Sequence, residues 1–159
     1  MSTGVRITQG TFSMTLGLRL PEDEEVARAR EVWSQVEAEK RPGRTLAEIY
    51  ARETILLSQG PKQAELKLQA LRIGELGIAA IPCEVYCETG LALRAVSPMR
   101  PMFTIELANG YNGYLPPPEQ FALGGYTTWR ARSSCLETQA EPKIKEALAR
   151  LLVEVFRGS

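Results

Sequence analysis

No histidine occurs anywhere in the 159 residues. That absence removes the commonest general base, the Ser-His-Asp triad and any histidine-based metal site that this chain could assemble alone. Cysteine is nearly as scarce. Cys83, Cys87 and Cys135 are an odd set, too few for a disulfide framework. Neither sign of charge is in excess, with 19 Lys+Arg against 19 Asp+Glu, so nothing points to nucleic acid or an anionic membrane surface as partner. No apolar run approaches the roughly 20 residues that span a bilayer. The N-terminal "MSTGVRITQG" lacks the apolar segment of a signal peptide. Read as written, the chain is expected in the cytoplasm. An apolar fraction of 44% against 24% charged is an ordinary globular balance and argues against disorder. The length suits one domain over residues 1–159.

The pattern along the chain is that of an α/β domain. Residues 11–20, "TFSMTLGLRL", alternate loosely as a strand ending at Pro21. "PEDEEVARAREVWSQVEAEK" then places Pro and four acids where a helix N-terminus favours them. Its apolar stripe is Val26, Ala29, Val32, Trp33 and Val36, and Arg41-Pro42-Gly43 stops it. Thr45 and Glu48 have capping-box spacing and open a second helix, which Gly60-Pro61 closes. The two helices are expected to form a hairpin packed on a sheet. "AELKLQALRI" and "LGIAAIP", joined by Gly74-Glu75, read as a β-hairpin with a type II′ turn. The second of these strands is apolar on both faces and so belongs in the middle of its sheet. A helix is expected over 84–97, with Val85, Leu91, Leu93 and Val96 apolar, then a strand "PMFTIELAN". "EPKIKEALARLLVEVF" closes the chain as an amphipathic packing helix with Ile144, Leu148, Leu151, Leu152 and Val155 on one side.

Strand, helix, strand over 76–108 makes a βαβ unit. Parallel strands open their following loops on one sheet edge, where α/β sheets hold ligands. The first loop carries Glu84 and the second, "NGYNGY", carries Tyr111 and Tyr114. A carboxylate and phenols about thirty residues apart are thus expected as neighbours. Each also has a plainer reading. Glu84 in the first helical turn serves the dipole, Glu88 one turn on is solvated, and tyrosines in Gly/Pro-rich loops act as packing lids. Cys83 and Cys87, four apart on one helix face, read as small buried hydrophobes, although a metal could use the spacing. Asn109 is a turn residue.

"LRIGELGIAAIPCEVY…GL" followed by "TIELANGYNGYLPPPEQFALGGYTTWRARSS" resembles the C-terminal part of the neutral/alkaline ceramidase-like hydrolases, their bacterial members most of all. The resemblance covers roughly residues 66–135. It implies a portion of a larger α/β hydrolase domain, with a mixed sheet flanked by helices and cut from a zinc-dependent amidase. By position, Glu84 matches a glutamate zinc ligand, Tyr114 a tyrosine zinc ligand, and Tyr126 a tyrosine that donates to the oxyanion. In "GYNGYLPPPEQFALGGY" the glycines then aim Tyr114, the prolines stiffen the passage, and Gly124-Gly125 returns Tyr126 to the same edge. The family commonly has glycine where Cys83 stands. Its two histidine ligands and its serine lie in an N-terminal catalytic region absent from this sequence, whose start resembles a point inside the parent protein.

The resemblance therefore implies zinc in the complete enzyme, weak or absent in this chain alone. It further implies an amide-bonded, lipid-like substrate, a partner region supplied by the same chain or a separate subunit, and export of the parent. A reading of another class is a non-catalytic α/β binding module that kept the fold and lost the site. A split enzyme would show itself by an exposed apolar face where the partner docks.

Overall fold

The computed structural model describes residues 5–39 and 44–158. Strand β1 (Ile7–Gly17) pairs antiparallel with β2 (Gln63–Ile73) over their whole lengths, from Ile7↔Ile73 to Gly17↔Gln63. The strand starts four residues before the expected boundary. The stretch before Thr11 has little apolar alternation, and what extends it is pairing with β2, which has the same length of 11 residues. Gly10 also lets a helix approach closely: a Cβ there would stand 2.8 Å from Leu151 Cδ1. β2 turns at Gly74-Glu75 into β3 (Leu76–Ala80). Only Gly74 of the two turn residues has positive φ, as a type II′ turn requires. β3 lies between β2 and β5 (Met102–Ile105), giving the order β1-β2-β3-β5. β3 and β5 are parallel, so the expected central strand and βαβ unit are both present.

Helix α5 (Ala140–Arg157) covers one face of the sheet. Ile144, Leu148, Leu151, Leu152 and Val155 are all buried against Leu16, Leu66, Leu68, Ala70 and Ala79. Each such side chain contributes about 1.5–3 kcal/mol of burial. Helix α3 (Cys87–Val96) packs on α5 and β5. It begins three residues later than expected, because Glu84–Val85 form a short strand, β4, instead. Of its expected apolar positions Leu93 is buried, whereas Leu91 and Val96 are exposed.

Helices α1 (Asp23–Glu39) and α2 (Leu46–Ser58) correct another expectation. Their capping box is present: Glu48 N donates to Thr45 Oγ1 at 3.3 Å, and Thr45 N donates to Glu48 Oε2 at 2.7 Å. The hairpin packs chiefly on itself, however, and the main core contains no residue from either helix. The stripe that joins the pair is short. Val26, Ala29, Val36, Ala51 and Leu57 are buried while Val32 stays exposed, too little apolar surface to cover a sheet as well. The expected stop at Arg41-Pro42-Gly43 lies outside the described residues. None of the described helices is long and apolar enough to cross a membrane.

Leu148 is fully buried at the centre of α5. Leu148→Ala is predicted to cost about 2–5 kcal/mol in urea unfolding, whereas Leu123→Ala on the exposed end of the tyrosine segment should cost less than about 0.5 kcal/mol. Similar losses at both positions would contradict this assignment of the core.

Candidate functional site

The chain leaves β3 as Ile81-Pro82-Cys83, all three buried. The segment following β5 folds back around them. Leu107 N donates to Cys83 O (3.1 Å), Ala108 N to Ile81 O (3.0 Å), and Asn112 N and Nδ2 to Pro82 O (2.9 and 3.1 Å). Asn109 turns the chain at φ 67°, the role expected of it, and its Nδ2 donates to Gln69 Oε1 at 3.2 Å. The strand expected through Asn109 therefore stops at Ile105, because its last four residues are spent on this return.

Two short strands result. β4 (Glu84–Val85) runs parallel to β6 (Tyr114–Leu115), with Glu84 directly opposite Tyr114 and Val85 opposite Leu115. Glu84 N donates to Gly113 O at 2.8 Å, and Val85 N donates to Glu106 Oε2 at 2.9 Å. Glu84 is thus not a residue of the first helical turn, and its carboxylate does not serve the α3 dipole. Cross-strand partners point to the same side of a ladder, so carboxylate and phenol lie side by side. Expectation and structure agree on that meeting.

Gly113 fixes this arrangement. Its φ is +66°, and a Cβ there would lie 2.2 Å from Ser133 O and 2.6 Å from Ser134 Cβ. The contact brings Ser134 Oγ to accept from Tyr114 N at 3.1 Å. Arg19 holds the same turn from its other side. Its guanidinium donates to Leu136 O (2.9 Å), Thr128 O (2.8 Å) and Ser134 O (3.3 Å), and lies 4.8 Å from the centre of the Phe121 ring.

The prolines do more than stiffen. Pro117 caps a helix, α4 (Pro118–Leu123), that Pro118 begins. Gly124 and Gly125 then take φ of 73° and 98° and lead into a 3-10 turn at Tyr126–Thr128. Tyr126 returns to the site, its ring centre 5.8 Å from that of Tyr114, edge to face. Contacts continue from Tyr126 to Trp129 (5.5 Å) and from Trp129 to Tyr50 of α2 (5.3 Å). Tyr86 and Thr127 hydroxyls, 2.5 Å apart, pin the 3-10 turn to the chain after β4. Arg132 binds Glu53 of α2 with Nε (2.9 Å) and Nη2 (2.9 Å), and a cavity of ≈ 460 Å³ opens beside this pair, lined by Ile49, Tyr50, Ala131 and Ser133. Tyr111, on the same loop, is exposed.

Tyr50, Trp129, Ser134 and Arg19 were not singled out by sequence reasoning. Tyr50 reads as one more apolar position of α2, and the others gain meaning only from partners more than a hundred residues away or across a loop. The cysteines behave differently from their sequence spacing. Cys83 precedes the helix and is buried, its thiol pushed up to about 12 by that burial, while Cys87 opens the helix and is exposed. They share no helix face. Cys87 hydrogen-bonds the exposed Glu88 at 3.2 Å. Among the described residues no group of three or more His, Cys, Asp or Glu could hold a metal ion.

No protein-family model and no curated protein matches this sequence. Solved structures do. A neutral ceramidase from Pseudomonas aeruginosa superposes at TM-score 0.53 and 19% identity, over 92% of this chain and 28% of that one. A second structure, "Ceramidase complexed with C2", matches at TM-score 0.51 and 21% identity, over 58% of this chain and 15% of that one. This chain has a ceramidase-like fold. It spans about a quarter or less of the proteins it resembles.

The Tyr114 phenol is held above the ordinary tyrosine range, first by the charge of the adjacent Glu84 carboxylate, then by burial and by the hydrogen bond the two share. The neutral phenol is thus the favoured folded form. Its contribution is complete at neutral pH and is lost as pH rises through the raised value, above about 10. Glu84→Gln is predicted to shift the Tyr114 titration down toward an ordinary phenol, read from phenolate absorption against a Tyr114→Phe control. An unshifted titration would separate the two side chains. Gly113→Ala should cost about 2–4 kcal/mol, since it adds a left-handed strain to a steric overlap, and should change the amide shift of Tyr114 in an NMR spectrum.

Proposed function

We propose that this chain is the C-terminal part of a zinc-dependent amide hydrolase of the neutral ceramidase type. The observation that carries the reading is the register of β4 and β6, which sets Glu84 opposite Tyr114 with the Tyr126 ring against Tyr114. The ceramidase-like fold supports it.

On this reading Glu84 and Tyr114 supply two oxygen ligands, and a catalytic region outside these residues supplies two histidines. Carboxylate and phenol oxygens suit zinc, and zinc when bound would provide a Lewis acid and an activated water. The remaining work belongs to this chain's own side chains. Tyr126 donates a hydrogen bond from its phenol to the oxygen that becomes negative as an amide carbonyl is attacked. Trp129 packs on its ring and Tyr50 on that of Trp129, which limits its swing. The substrate class is an amide-bonded, lipid-like molecule. The chain alone is inactive and holds zinc weakly, because two oxygen ligands do not complete a tetrahedral site.

One observation favours a second reading, a non-catalytic binding module. β5 and α3 expose Phe103, Ile105, Leu91 and Val96, an apolar surface of the kind a partner covers, which suits a binding module and equally the split enzyme for which such a face was expected. The two readings separate at Glu84.

In the complete, zinc-loaded polypeptide, Glu84→Gln should strip the metal while circular dichroism stays unchanged. Tyr126→Phe should keep zinc and lower kcat by about 10²–10³. Both are checked by metal analysis of the purified protein alongside amide hydrolysis. Stoichiometric zinc retained by the Glu84 variant would remove Glu84 from the ligand set and favour the binding module.

A further inference from the structure

We infer that Tyr86 is a positioning residue: through Thr127, its hydroxyl holds the Tyr126 phenol beside the Glu84–Tyr114 pair. The inference rests on the hydrolase reading for the use made of Tyr126, and otherwise on contacts within this chain. The chain leading into Tyr126 does little to place it. Gly124 and Gly125 stand directly before it at φ 73° and 98°. Two successive glycines pass on little of the direction that helix α4 gives them. The residues that follow are held one by one instead. Tyr126 rests its ring on those of Tyr114 and Trp129. Tyr86 Oη lies 2.5 Å from Thr127 Oγ1, and Thr128 O accepts from Arg19 Nη1 at 2.8 Å. Of these tethers, the Tyr86 hydroxyl is the one that starts directly after the strand bearing Glu84. It therefore sets the 3-10 turn against Glu84 itself.

A tether positions its load only when its other end is firm. Tyr86 is the N-cap residue of α3, with extended backbone at φ −70° and ψ 146°, and its carbonyl accepts from Thr89 N at 3.1 Å. Thr89 is buried, and its Oγ1 donates to Glu141 Oε1 at 2.7 Å. Glu141, in the first turn of α5, is 1% exposed, and Lys145 Nζ lies 3.0 Å from the same oxygen. A carboxylate buried so fully needs partners such as these. What they achieve is a polar link from the first turn of α3 to the helix that fills the main core. Rigidity passes from α5 through Glu141 and Thr89 to Tyr86, and from Tyr86 through Thr127 to Tyr126.

The link is also selective. Arg19 reaches the same turn, but its guanidinium holds Ser134 O as well, and Ser134 in turn accepts from Tyr114 N. Disturbing Arg19 would move Tyr114 and Tyr126 together. Removing the Tyr86 hydroxyl deletes one hydrogen bond and leaves the ring in place. Tyr126 should then drift while Glu84 stays opposite Tyr114. An oxyanion donor tolerates little drift, because its value depends on meeting the oxygen at hydrogen-bond distance.

The test uses the complete, zinc-loaded polypeptide. Tyr86→Phe should keep stoichiometric zinc, hold KM within about twofold and lower kcat about tenfold. Thr127→Val should do the same, while Thr127→Ser, which keeps the hydroxyl, should retain activity. In a Tyr126→Phe background Tyr86→Phe should cost less than about twofold, since the group it positions is gone. Additive losses would show Tyr86 supporting the fold at large and would overturn the inference. So would a Tyr86→Phe enzyme with wild-type kcat, or one that has lost zinc. Hydrogen exchange read by mass spectrometry needs no activity. Tyr86→Phe should speed exchange at the Thr128 and Trp129 amides, which donate to Gly125 O and Tyr126 O at 3.0 and 3.1 Å, and leave the Tyr114 amide unchanged. Unaltered exchange at 128 and 129 would overturn the tether whatever the kinetics. A wild-type polypeptide that hydrolyses no amide would instead refute the hydrolase reading, and the exchange result would then decide the tether by itself.

Discussion

The close approach of Gly113 to the Ser133–Ser134 turn is the constraint on which the site depends. A chain segment that passes 2.2 Å from where a Cβ would stand leaves no room for any other residue. Because the glycine also sits at positive φ, the next residue leaves it in an extended direction, and that residue is Tyr114. The Ser134 hydroxyl then accepts from the Tyr114 amide, and Glu84 N donates to the Gly113 carbonyl. One tight contact thus sets both the height of β6 and its register against β4. Loosening it by an ångström would release the alignment of Glu84 with Tyr114 and the support of Tyr126 together, since all three depend on the turn that Arg19 clamps from behind.

The rest of the molecule divides into a rigid platform and an outlying cover. α5 and the sheet share the main apolar core. The α1–α2 hairpin has a small core of its own and reaches the remainder through polar and aromatic contacts: Glu25 with Arg130 at 2.8 Å, Glu53 with Arg132, and Tyr50 with Trp129. These contacts are individually weak where exposed. The hairpin is therefore the element whose position can change without disturbing the core, and it stands beside the aromatic run that ends at Tyr126.

Much of this was legible in the residues. The period-2 pattern of β2, the Gly74-Glu75 turn, the capping box at Thr45 and the apolar stripe of α5 all follow local rules, and each formed where expected. So did the meeting of Glu84 with Tyr114, because parallel strands with a helical crossover leave their loops no other edge. What was not legible depended on chain returning from elsewhere. Glu84-Val85 looks like a helix start, yet pairing with Tyr114-Leu115 made it a strand; a two-residue ladder leaves no periodicity in sequence. α4 hid within a passage whose prolines and glycines signal turns, although Pro118 at a first helical position is itself a helix signal. The α1–α2 hairpin was misplaced because an amphipathic stripe says that a helix is covered and not what covers it.

The Glu84–Tyr114 pair needs no ion to exist. A carboxylate beside a phenol favours the protonated phenol, and the charge of Glu84 is what raises Tyr114 above its ordinary range. Geometry comes from backbone ladders and from Gly113, all made within the chain. This separates the site from small metal folds, in which ligands converge only when the ion pays their cost of assembly. A cation entering between these oxygens would face one charge already present and a phenol whose proton it must displace. The charge of Glu84 opposes that ionisation, and the cation's own field has to exceed it. On the hydrolase reading, binding to these two groups would be weak until further ligands arrive and would strengthen as pH rises. On that reading the oxygen pair would be stable by itself, with its affinity withheld until the other part of the site is in place.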